Sequence, residues 1–298
     1  MKTSNHLLRR LTAALLAAVL ALSIALPVFA SDDGDTIYIN SVSDLLSLAR
    51  NCAYDQWSVG KTVILQKDLS LEGMLWEPIP SFSGQFKGNG HTISDLTITG
   101  QYSPAGLFGI VEEQGSIESL SVRGVVSVSD SADTTTGGIV GINHGTLISC
   151  QFTGVVTGDS EVGGIVGRNE SEGTIDHGTA RAIVTGKSST GGIAGYNLGA
   201  ITGCTNVGSI NTEYPEASLD TDGFTAKMVD YINNKMAAAA DDATNSVTNV
   251  ATDTGGIAGR SSGMILTSVN TGTIGYEHVG YNAVSYTHLR AHETDSYL

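Results

Sequence analysis

The apolar pattern of this 298-residue chain has two regimes. Residues 11–26 form an almost unbroken apolar run behind the basic Lys2, Arg9 and Arg10, and Val28 and Ala30 put small residues where a signal peptidase inspects the chain. That combination predicts a secretory signal peptide over 1–30, because the run is shorter than the roughly 20 residues a membrane span needs. The mature chain is then exported, with no stable membrane insertion of its own. Beyond residue 30 the long run gives way to short β-branched stretches broken by Gly, Asn and Ser.

Those stretches repeat. A glycine-flanked apolar box stands as AGLFG at 105–109, GGIVG at 137–141 and again at 163–167, and GGIAG at 191–195 and 255–259. A short turn and a second glycine follow each box: Gly115, Gly145, Gly173, Gly199 and Gly263. Two residues past it stand Ile117, Leu147, Ile175, Ile201 and Ile265; eleven past it stand Val126, Val156, Val184, Ile210 and Ile274. Nine past it the residue is Gly124, Gly154, Ala182, Gly208 or Gly272. One such unit cannot bury its apolar side alone, whereas stacked units bring each column into register at roughly 4.8 Å per rung. The expectation is an all-β, parallel and right-handed β-helix over 101–283. Its glycines would sit at corners that need positive φ or close packing.

Residues 31–100 read as an N-terminal cap and first rungs. Ser41 or Ser43 caps a short helix whose apolar side is Leu45, Leu46 and Leu48. A strand is expected over 62–69, a loop around Trp76 and 78–80, and a tight turn at Gly88, Asn89 and Gly90 before a strand at 92–99. One insertion, 212–250, breaks the period: the last two boxes are offset by 64 residues, Gly195 to Gly259. There Phe224, Met228, Tyr231, Ile232 and Met236 recur at helical spacing, predicting an amphipathic helix that either shapes a groove or covers an apolar flank.

From residue 284 the repeats stop. The tail VSYTHLRAHETDSYL resembles translated adapter sequence, so 284–298 is expected to be non-native, with C-terminal domains missing. His288, His292 and Glu293 make no zinc-protease motif, since Ser296 stands where a second histidine is required.

Composition agrees with many short strands: 37 Gly, 5 Pro, 6% aromatic and 15% charged residues. The formal charge is −15, and removing Lys2, Arg9 and Arg10 makes it −18. Such a surface repels nucleic acid. Cys150 and Cys204 occupy the same position two rungs apart, with Gly178 between; at roughly 9.6 Å this exceeds the roughly 7 Å Cα limit for a disulfide. Both are expected to be free and buried. Cys52 has no evident partner.

Candidate chemistry is thin. Asn143, Asn169 and Asn197 form a column after the box, either a polar binding stripe or an amide ladder within a left-handed turn. Asp176 with His177, and Asp159 with Glu161, are the suggestive acidic neighbours, yet a catalytic base needs an oriented partner and none is apparent. The TGKS at 185–188 lacks the first phosphate-loop glycine, Arg181 standing there. No metal or cofactor is expected.

The repeats GGIVGINHGTLISCQFTGVVTG from Gly137, GGIAGYNLGAITGCTNVGSI from Gly191 and GGIAGRSSGMILTSVNTGTI from Gly255 resemble the GLUG-motif family, over residues 37–280. That resemblance implies a bacterial cell-surface setting and a scaffold or adhesion role within a larger protein. It carries over no catalytic residues. The expected partner is a glycan or cell-surface protein, met by exposed Thr, Ser and Asn rows. The alternative is a polysaccharide lyase or hydrolase using the solenoid groove.

Overall fold

The computed structural model describes residues 35–54, 56–128, 134–212 and 252–275. The signal peptide expected over 1–30, all but the first residue of the 212–250 insertion, and the 284–298 segment lie outside them.

One coil shows how the chain winds. Thr136–Gly137 leads through the box to Val140–Asn143; a corner precedes Thr146–Ile148, a second precedes Gln151–Thr157, and Val162–Gly163 then starts the next coil in register with Thr136–Gly137. Four stacks result, with eight strands on the face of Thr146–Ile148 and six on that of Val140–Asn143. Every strand pairing among the described residues is parallel. This is a parallel β-solenoid of about six turns.

The aliphatic columns are its core. Val63, Phe86, Ile117, Leu147, Ile175 and Ile201 follow one another in register and are fully buried. Ile98, Val126, Val156, Val184 and Ile210 do the same on a neighbouring face. Near the start, Phe82, Phe86 and Phe108 fill the interior with ring centroids 5.4–6.4 Å apart. Burying each such side chain contributes about 1.5–3 kcal/mol, and only stacking supplies that burial to so short a strand.

One α-helix, α1 (Val42–Asn51), stands among the described residues. Ser41 caps it, its hydroxyl accepting from the Asp44 amide at 3.2 Å. Leu45 and Leu48 face the core, and α1 packs against Thr36–Ile39 and Ile79–Phe82, over the first rungs.

Several local expectations change. The strand expected over 62–69 is interrupted, as Thr62–Leu65 and Leu69–Ser70, because the chain turns a corner there onto another face. The segment expected as loop includes the strand Ile79–Phe82, which tolerates Pro80 because it ends its sheet and pairs on one side only. Trp76 is buried and donates its indole N–H to the Leu107 carbonyl at 3.1 Å.

The box glycines need space rather than positive φ. A Cβ on Gly138 would lie 2.3 Å from the Phe152 ring and 2.5 Å from the Gly164 carbonyl of the next rung. Left-handed backbone falls elsewhere, and at one corner it recurs through five rungs: Ser119, Ser149, His177, Gly203 and Thr267, with φ of 51, 52, 52, 62 and 46°. At this corner the first four amides donate to the following rung, Ser119 to Ile148, Ser149 to Asp176, His177 to Thr202 and Gly203 to Leu266.

Candidate functional site

Asn143, Asn169 and Asn197 are not a surface stripe. All three are fully buried, at the ends of Val140–Asn143, Val166–Asn169 and Ala194–Asn197. Asn143 Nδ2 donates to Asn169 Oδ1 and Asn169 Nδ2 to Asn197 Oδ1, both at 2.8 Å, and Ser261 Oγ continues the line 3.1 Å from Asn197 Nδ2. Each amide also donates to the corner glycine carbonyl, of Gly145, Gly173 or Gly199. The column is an amide ladder that satisfies the backbone where the chain turns. None of the three has positive φ, since they close strands rather than occupy the turn. With both faces of each amide engaged, they offer nothing to a ligand.

Asp176 and His177 do meet, Oδ1 to Nδ1 at 2.9 Å. His177 occupies the left-handed corner, and its ring lies beside Gly203, whose added Cβ would stand 3.1 Å from Nε2. The histidine side chain is 67% exposed, so the pair sits in water rather than in a cleft. Asp159 and Glu161 are each held by a cation. Asp159 Oδ1 pairs with Lys187 Nζ, and its carbonyl accepts the Lys187 and Ser188 amides at 2.9 and 3.0 Å. Glu161 Oε1 accepts from Arg168 Nη1 at 3.0 Å, while Oε2 takes the Thr135 hydroxyl at 3.1 Å. Arg168 also lies 2.8 Å from Glu170, and its guanidinium stacks on Tyr196 at 5.2 Å, with Arg260 over the same ring at 5.4 Å. No group of three or more His, Cys, Asp or Glu among the described residues is placed to hold a metal ion.

A groove of about 470 Å³ opens near the start of the solenoid. Three successive rungs build it at the corner before Thr62–Leu65, Gln85–Lys87 and Ser116–Glu118. The first rung contributes Gln56 and Val59, the second Ser81 and Ser83, the third Glu112, Glu113 and Gln114. Ser81 donates to Glu112 Oε1 at 2.7 Å. The turn after Glu112 is pinned down: the Glu112 amide donates to the Phe82 carbonyl at 2.9 Å, and a Cβ on Gly115 would stand 2.5 Å from that oxygen.

No protein-family model matches this chain. Halomucin of Haloquadratum walsbyi is 30% identical over 155 residues, which is 48% of this chain and 2% of halomucin. A protein described as "Putative Gly-rich membrane protein" from Evansella cellulosilytica is 29% identical over 137 residues, 33% of this chain and 16% of its own length. The chain thus spans a small part of both relatives. The crystal structure of a "putative immunoglobulin A1 protease" from Bacteroides ovatus superposes with a TM-score of 0.54 at 18% identity, over 80% of this chain and 66% of that one. At that identity the likeness is one of fold.

The groove has no repeat signature. Its only trace in the sequence is uneven corner length, three residues between Val111 and Gly115 against one between Phe82 and Gly84.

Proposed function

We propose that this chain is a β-solenoid scaffold with an adhesion-type role, part of a larger exported or cell-surface protein of GLUG type, without catalysis of its own. The observation that carries the reading is a polar row facing outward from the eight-stranded face. Thr36, Thr62, Gln85, Ser116, Thr146 and Thr174 follow one another in strict register, each beside an inward core residue. At about 4.8 Å per rung the row runs for about 24 Å. A rigid ladder whose members, Gln85 apart, are short hydroxyls meets a partner at little cost in side-chain entropy. The partial alignments with halomucin and a Gly-rich membrane protein are in keeping with a surface setting.

The test is direct. The purified full chain, labelled at its N-terminus, is applied to bacterial and host cells and to a broad panel of immobilised glycans and surface proteins. Saturable binding is expected, and its absence across the whole panel removes the adhesion role. Incubated with neutral and acidic polysaccharides, the same chain should release no reducing or unsaturated sugar. Release abolished by Asp176→Asn would replace this reading with a carbohydrate-active enzyme.

A further inference from the structure

The groove at the start of the solenoid has dimensions set by the rung spacing. Its middle rung turns through the short corner at Ser83, while the rungs on either side project longer corners, at Gln56 and Val59 and at Glu112, Glu113 and Gln114. Skipping one rung leaves the two walls about 9.6 Å apart, backbone to backbone. That gap suits a single thin chain of rings and is too narrow for a helix, whose diameter with side chains is about 10–12 Å. The volume of about 470 Å³ falls in the range of sites for small ligands.

The lining then selects the chemistry. Gln56 and Gln114 bring amides that both donate and accept; Ser83 brings a hydroxyl that does the same, the Ser81 hydroxyl, already donating to Glu112, is left to accept, and Glu112 and Glu113 only accept. Val59, 44% exposed, is the apolar wall. A ligand matching this set is rich in groups that donate and accept at once and carries no negative charge, because two carboxylates and a chain of formal charge −15 would repel it. Sugar hydroxyls are such groups. The groove also lies beside the outward polar row, since Ser83 and Gln114 each precede one of its members, Gln85 and Ser116, by two residues.

We infer that this groove binds a neutral oligosaccharide, with Glu112, Glu113 and Gln114 on one wall accepting and donating to ring hydroxyls and Val59 against an apolar ring face opposite. The inference rests on the adhesion reading and gives it a ligand class and a place.

Isothermal titration of the full chain with neutral tetra- to hexasaccharides (β-1,4-linked glucose, xylose and mannose series) tests it, with oligogalacturonate and tetralysine as charged probes. At least one neutral series should bind. Glu113→Ala combined with Gln114→Ala, both at exposed positions, should weaken that binding at least tenfold at unchanged melting temperature, and Glu112→Gln should weaken it independently. Arg181→Ala, exposed on the Thr179–Thr185 strand of another stack and part of neither the groove nor the polar row, should leave it unchanged. Wild-type binding that survives both groove variants overturns the groove while the adhesion role stands. Cell binding without any neutral-sugar binding does the same, and a preference for tetralysine would make the groove a cation site. If the chain binds neither cells nor any glycan, the groove and the adhesion reading fall together.

Discussion

Asn169 Nδ2 donates to Asn197 Oδ1 at 2.8 Å, while Asn169 Oδ1 accepts from Asn143 Nδ2 at the same distance. Every amide in this line holds the next rung and the glycine carbonyl of its own corner, in full burial. The ladder therefore ties consecutive coils together with polar groups that would otherwise oppose stacking. A buried amide with all its partners strengthens a fold, and one stripped of a partner weakens it by the desolvation of what is left.

Asn169→Ala should accordingly cost about 2–3 kcal/mol, because it strands Asn197 Oδ1 and weakens the hold on the Gly173 carbonyl. Asn270→Ala, in the last described rung and only part-buried, should cost about 1 kcal/mol. Urea midpoints for the two variants check the order; equal losses would show that depth of burial does not set the cost of losing such an amide.

Gly138→Ala should be among the most damaging single changes. Its Cβ meets the Phe152 ring on one side and the Gly164 carbonyl on the other, at 2.3 and 2.5 Å. Trimming Phe152 to Leu frees only the first contact, so the double variant should remain at least about 2 kcal/mol less stable than Phe152→Leu alone. Gly60→Ala, at φ 73° with open space around it, should cost only about 1 kcal/mol. Thermal melting separates steric from conformational need for glycine.

The core was legible because stacking forces the same residue type into one column many times: Ile117, Leu147, Ile175 and Ile201 announce themselves by position alone. The asparagine column was legible for the same reason, and its burial settles which of two readings holds. A second ladder, Asn206 to Asn270 at 2.7 Å, was missed because earlier rungs put Phe152 and Ala180 in that column. The left-handed corner was missed because a conformation, not a residue type, repeats there: Ser119, Ser149, His177, Gly203 and Thr267 share a φ and little else. The groove arises from differences between rungs, which a search for sameness passes over.

That corner makes a coupled prediction. Gly203→Ala places a Cβ on backbone of φ 62° and 3.1 Å from the His177 ring. The backbone part should cost about 1–2 kcal/mol, and the ring contact should add to it. In a His177→Ala background the same Gly203→Ala change should cost less, by the ring share alone. A double-mutant cycle from chemical denaturation measures the difference, and a coupling indistinguishable from zero would show that the ring yields without penalty.

The cysteines give the pH dependence. Cys52, Cys150 and Cys204 are all free and buried. Burial pushes the Cys150 thiol up from its ordinary 9.0 to about 12, and burial likewise raises Cys204 to about 11, against the opposing hydrogen bond from the Gly178 amide. The folded state thus holds both thiols protonated where an unfolded chain would ionise them. Their contribution to stability is fully present below pH 9 and is lost as pH rises from there through 11 to 12. Each thiol adds at most about 1.4 kcal/mol per pH unit to that fall. The urea midpoint of the wild type should drop between pH 9 and 11, and Cys150→Ala with Cys204→Ala should flatten the slope even though both changes lower stability at neutral pH. Iodoacetamide at pH 8 should label neither Cys150 nor Cys204 in the native chain and both in denaturant, where the thiolates form freely. Rapid native labelling would mean that the rungs around Gly178 open far more readily than their packing implies, and an unchanged slope in the double variant would assign the alkaline loss to other groups.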